Sequence, residues 1–224
     1  MFIYLIVHYA TGMAVKRRYD STLRQEQARA TRRAILDAAR KLFVESGYAA
    51  TTLAAVAREA GVAVQTVYGA FATKRQLLSE MVDVTIAGDD EDVALAQRQF
   101  VADIRALSGA RAKLERYAVH LAETHARQAP VMLALAGAAT ADPDAAAIWR
   151  KNLTERRQGM AMFAADLAVS GELRPEHTVE TAADVLWLAM DFRNWDWLVR
   201  ERGWSPERFR RWYVDTVAAA ILSP

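Results

Sequence analysis

The sequence has no cysteine, so disulfides, thiolate metal sites and cysteine nucleophiles are excluded in one step. It is also poor in the residues that interrupt regular structure, with 10 glycines and 5 prolines among 224 residues. Alanine is abundant, just over half the residues are hydrophobic and a quarter are charged, the composition of a soluble, helix-rich globular protein. No apolar run approaches the roughly 20 residues of a membrane span. Residues 1–10 are apolar but short, with no basic residue ahead of them, so neither secretion nor membrane insertion is indicated and the cytoplasm is the expected compartment. Two readings of that segment stand: translation beginning at Met13, just before Lys16, Arg17 and Arg18, or a short sticky segment packed on the body.

Signatures of catalysis are missing as well. There is no phosphate-cradling glycine loop, no nucleophile elbow and no dinucleotide fingerprint. His120 and His125 lie five apart and diverge around a helix, which argues against a paired metal site. No enzyme, cofactor or metal is therefore expected.

What is present is unevenly charged. Residues 13–80 hold twelve Lys or Arg against six Asp or Glu, while the rest of the chain holds seventeen against twenty-one. A basic amino-terminal third on an acidic remainder suggests a polyanionic partner for the first part only. Arg17 and Arg18 read either as a minor-groove arm or as a disordered basic tail.

The hydrophobic period is helical throughout, and no segment reads as a strand. Ile35, Ala38, Ala39, Leu42 and Phe43 define a first helix ending near Gly47; two short helices follow, separated at Gly61, and Thr73 is placed to cap a fourth over 74–86. The acidic stretch at 89–92 separates this unit from a body with helices expected at 93–108, 111–128, 130–139, 144–169, 178–201 and 206–222. The predicted class is all-α, divided into an extension at 1–20, a DNA-binding unit at 21–75 and a ligand-binding and dimerisation unit at 76–224.

Residues 53–72 meet the demands of a helix-turn-helix: Ala57 is the small residue at the close approach, Gly61 makes the turn, and Val56, Ala60, Val62, Val67 and Ala70 pin the two helices. Thr52, Tyr68 and Lys74 suit phosphates, and Gln65 and Thr66 suit base edges in a major groove. Val67 and Phe71 read as core.

The longer run Ile35-Leu36-Asp37-Ala38-Ala39, Leu42-Phe43, Gly47-Tyr48, Thr51-Thr52, Ala57, Ala60-Gly61-Val62, Thr66-Val67-Tyr68, Phe71 and Lys74 resembles the TetR family of bacterial regulators. The resemblance covers about residues 30–80. It implies a repressor of double-stranded operator DNA whose helical body encloses an effector pocket and dimerises through its last two long helices. The chain departs from many family members in having Gly69 and Ala70 after Tyr68, which leaves few side chains to read bases. A weaker similarity lies in the run from Val199 through Trp204 to Glu207.

For the body, apolar residues of the last two helices, among them Val185, Leu186, Leu188, Phe209, Trp212, Tyr213, Val217 and Ile221, exceed what one face of a monomer usually hides, which points to a homodimer. Candidate ligand contacts are Tyr117, His120, Leu121, Met132, Trp149, Met160, Phe163, Trp187 and Met190, each of which also reads as ordinary core. This lining suits a moderately hydrophobic or aromatic effector better than a sugar or nucleotide. A DNA-binding regulator with no small-molecule effector remains the alternative.

Overall fold

Helix starts along the chain are marked by side chains that take up an orphan backbone N–H. Thr52, Thr73, Thr178 and Ser205 accept from Ala55, Gln76, Thr181 and Arg208 at 3.0 to 3.2 Å, and Asp142 accepts from Asp144 and Ala145. The computed structural model describes residues 4–91 and 93–224, with side chains from Arg24 onward apart from Asp92 and Ala96. Among the described residues the chain is helical, with one isolated bridge between Leu173 and Leu222.

The head comprises α1 (Tyr4–Ala50), α2 (Leu53–Glu59), α3 (Val64–Ala70) and α4 (Lys74–Ala87). The backbone of residues 4–20 is helical and runs on into α1, where an extension is expected from the sequence; the side chains of Arg17 and Arg18 lie outside the described residues. α1 is broken near its end by Gly47, whose φ of 77° is reserved in practice for glycine. Ile35, Phe43, Val56, Val67 and Phe71, with Leu77 and Met81 of α4, are buried and join the four helices.

The body follows as a 3₁₀ turn (Leu95–Gln97), α5 (Gln99–Arg105), α6 (Ala110–Ala138), α7 (Pro143–Ala168), α8 (Val179–Ala189), the single turn α9 (Phe192–Trp195), a π-helical turn (Asp196–Glu201) and α10 (Pro206–Ile221). α6 is the spine and packs on α1, α4, α5, α7, α9 and α10.

Three expected boundaries move. The helix expected at 93–108 begins only at Gln99, because the Arg98 guanidinium forks onto the Asp89 carboxylate at 2.6 and 2.9 Å and holds Arg98 extended. This ion pair keeps the Asp89 carboxyl down at about 2. The break expected at Pro130 is absent, and α6 runs straight through it. Pro130 deprives the Ala126 carbonyl of its donor, but Ala126 is exposed, so water can satisfy it. Conversely, the helix expected over 178–201 stops at Ala189: Asn194 Nδ2 donates to the Leu188 and Ala189 carbonyls, and Asp191 caps the new turn at Arg193.

The apolar residues of the last helices are largely used within one protomer. Leu186, Phe209, Tyr213, Val217 and Ile221 are buried against α6 and each other, while Leu188 is 62% and Trp197 58% exposed. The free surface is smaller than the residue count implies, because α6 lies beneath α10 and α7 beneath α8.

Candidate nucleic-acid interface and ligand cavity

Gly61 turns the chain between α2 and α3 with a φ of 67°. Val56, Ala57 and Val67 are buried at the crossing, which fixes the outward face of α3. On it stand Gln65, Thr66, Tyr68 and Gly69, all exposed, with Tyr68 at 56%. Thr52 is exposed at the start of α2. Lys74 is placed differently from the open phosphate contact expected: its ammonium lies 4.0 Å from the Tyr48 ring centre and donates to the Ala49 carbonyl at 3.4 Å. Burial accordingly lowers its pKa from the ordinary lysine range. Tyr48 is buried, which with Asp142 and Asp144 nearby pushes its phenol up to about 12.

A cavity of about 920 Å³ opens between α4, α5, α6 and α7, with the α8–α9 junction at its end. Of the candidate ligand contacts, Tyr117, His120, Leu121, Met132, Met160, Phe163 and Met190 line it. It does not reach Trp149, which packs edge-on behind Phe192 at 5.8 Å, nor Trp187. The wall is aromatic and soft: Tyr117 meets Phe163 at 4.9 Å, His120 stacks on Phe100 at 3.7 Å, and the Tyr117 hydroxyl donates to Met190 Sδ at 3.6 Å.

Several lining residues escape sequence reasoning. His125 is 2% exposed, and its Nε2 lies 2.8 Å from the Met190 carbonyl, so that nitrogen carries the proton and Nδ1 is left as an acceptor. Burial lowers both His125 and His120 to about 4, so both rings are neutral at pH 7. Asn152 is 5% exposed and its buried side-chain Oδ1 accepts from nothing among the described residues; Arg156 stands one turn further along α7. These two share a helical face with Met160 and Phe163 at i, i+4, i+8 and i+11, and polar residues in an otherwise apolar stripe are the signal that could have found them.

The cavity is tied to the head through α4. Asp83, Val84, Ile86 and Ala87 of that helix line it. Arg127 and Gln128 of α6 donate to the Thr85 and Ile86 carbonyls at 2.9 and 3.0 Å, and Lys151 of α7 pairs with Asp83 at 3.2 Å. Nearer the head, Arg32 of α1 pairs with Glu80 and with Asp90.

Residues 35–81 match the family model described as bacterial regulatory proteins, tetR family. Solved structures of similar fold include a transcriptional regulator from Saccharomonospora viridis in complex with choline (22% identity, TM-score 0.64, spanning 86% of this chain and 98% of that one). They also include the complex of SmeT with triclosan (21%, 0.66, 87% and 92%) and the transcriptional regulator FadR from Bacillus subtilis in complex with stearoyl-CoA (20%, 0.64, 82% and 96%). No curated protein matches the sequence significantly. Residues 35–81 are thus similar to the tetR family of bacterial regulatory proteins, and the chain as a whole shares the fold of these solved structures. Among the described residues no helix is long and apolar enough to cross a membrane.

Proposed function

We propose that this chain is a cytoplasmic repressor that binds double-stranded operator DNA as a homodimer and is released by a small, moderately hydrophobic ligand entering the α4–α7 cavity. The observation that carries the reading is the placement of α4, whose first turn abuts the helix-turn-helix and whose last turns line the cavity. A ligand that presses on Val84 or Ile86 moves the helix that sets the spacing of two recognition helices. The ligand complexes among the similar structures support a body of this fold as a receptor.

In this reading Thr52, Tyr68 and Lys74 hold phosphates, and Gln65 and Thr66 read bases. Pairing through α8 and α10, where Leu188 is exposed, supplies the two-fold axis that a pair of half-sites requires. No catalytic role is assigned.

The test is an operator titration. Fragments recovered from the genome by the purified protein supply the site, and compounds that stabilise the protein supply the ligand. Saturating ligand is expected to weaken operator binding, and operator to weaken ligand binding by the same factor. Operator affinity unchanged at saturation would overturn the ligand-gated reading and leave a regulator without an effector.

A further inference from the structure

The cavity holds an uneven charge arrangement at its inner end. Arg156, whose side chain is 12% exposed, reaches Asp191 Oδ2 through Nη2 at a long 3.4 Å, while its Nη1 is buried with no hydrogen-bond partner among the described residues. Asp191 is itself shared, because Arg193 approaches it at 3.5 Å and the Arg193 backbone N–H takes its other oxygen at 2.9 Å. One carboxylate thus serves two guanidiniums. Elsewhere on the wall the carboxylates are committed, Asp83 and Glu155 to Lys151, Asp166 to Lys113, Glu80 and Asp90 to Arg32 and Asp89 to Arg98, except for Glu91 at the outer end, which makes no ion pair among the described residues. A buried guanidinium with an open N–H costs stability unless something accepts from it. Burial lowers the Arg156 pKa despite Asp191, the mark of a cation that its neighbours do not fully compensate.

Asn152 is the second observation. It lies one turn before Arg156 on the same face of α7, lines the cavity, and has a buried Oδ1 that accepts from nothing among the described residues, so its amide is uncommitted and can present Nδ2 to an acceptor.

We propose that the cavity takes an amphiphilic anion, a single carboxylate on an aromatic or aliphatic body, with the carboxylate accepting from Arg156 Nη1 and Asn152 Nδ2. The body of the ligand lies between Tyr117, Met160, Phe163 and Met190. This rests on the cavity being the effector site, and it adds the sign of the ligand's head group. A carboxylate completes the second edge of the guanidinium and balances the cation that Asp191 only half neutralises.

The test uses three probes of one shape on the purified full chain: phenylbutyrate, phenylbutanol and phenylbutylammonium, each titrated calorimetrically at pH 7.5. The acid is expected to bind roughly tenfold to a hundredfold more tightly than the other two, the range of a hydrogen bond to a charged group. Arg156→Gln is expected to abolish that preference, Arg156→Lys to restore part of it, and Asn152→Leu to weaken the acid alone. Should Arg156→Gln fail to fold, the wild-type ranking and Asn152→Leu still decide. Equal or tighter binding of the alcohol or the ammonium overturns the proposal, as does binding of none of the three. Operator affinity measured with the same probes separates the two readings. A selected acid that leaves DNA binding unchanged keeps the anion site and removes the effector role, while a neutral or cationic probe that binds at least as tightly as the acid and releases DNA does the reverse.

Discussion

The head and the body treat buried polar atoms differently. In the head, from Arg24 to Ala87, no fully buried side-chain nitrogen or oxygen lacks a partner among the described residues, and Thr51 and Thr85 each donate to a carbonyl one turn back at 2.8 Å. In the body, Asn152, Arg156, His125, Arg98, Trp187 and Tyr213 each keep a buried atom without a partner among the described residues, and three of these six face the cavity wall at its inner end. Partnering every buried group makes a rigid frame that presents a fixed helix to DNA. Leaving some open stores polar capacity that a ligand can satisfy. The head is complete by itself; the body is not.

The largest expected effect breaks or keeps that contrast directly. Phe71→Ala removes a fully buried ring from the head and is expected to cost about 3–5 kcal/mol in chemical denaturation, with loss of DNA binding. Phe163→Ala, on the wall of a cavity that already exists, is expected to cost clearly less; equal costs would show that the body is as tightly packed as the head.

Acid should find the body first. His125 and His120 are held neutral at about 4 while the unfolded chain takes up protons near 6.5, so their contribution to stability is full above that value. It is lost as pH falls from about 6.5 towards 4, on the order of 3 kcal/mol for the fully buried His125. Residues 24–87 contain no histidine, so denaturation followed by probes in the two regions should diverge over that range. His125→Gln should flatten the body's response, and an unchanged profile would remove His125 from the account.

On the DNA face, Gln65→Ala is expected to relax discrimination at one base pair by about 1–3 kcal/mol with little change in non-specific binding. Lys74→Ala is expected to weaken binding to all sequences alike and to lower the salt slope by about one. Since its ammonium also rests on Tyr48, part of that loss should appear as lower head stability, measurable without DNA. The smallest effect sharpens the comparison from the other side: Asn152→Leu replaces an unpartnered amide by an apolar side chain and should stabilise the free protein by up to about 1 kcal/mol. The same change in a partnered head residue, Thr51→Val, should destabilise it.

The helix-turn-helix was legible because its determinants are local: Gly61, Ala57, the capping Thr52 and Thr73, and the buried period through Val67 and Phe71 all act within a few residues of one another. Seven of the apolar or aromatic cavity residues were legible from type and spacing, since large soft side chains at helical intervals have to face an interior. Trp149 and Trp187 passed the same filter and lie outside the cavity, because spacing locates a face and not what stands in front of it. The continuity of α6 through Pro130 and the break after Ala189 were not legible either. The first depends on an exposed carbonyl, the second on Asn194 and Asp191 folding back to cap a helix end.

The sequence by itself determined that the chain is helical, that its amino-terminal third carries a helix-turn-helix and which residues stand on the outer face of α3, because periodicity, capping and turn chemistry are set by near neighbours. Only the tertiary structure decided that Asn152 and Arg156 are buried side by side, that His125 is clamped to the end of α8, and that α4 joins the head to a cavity. Desolvation is imposed by elements distant in the chain. A polar residue on α7 becomes a candidate ligand contact only once α6 and the α8–α9 junction close over it.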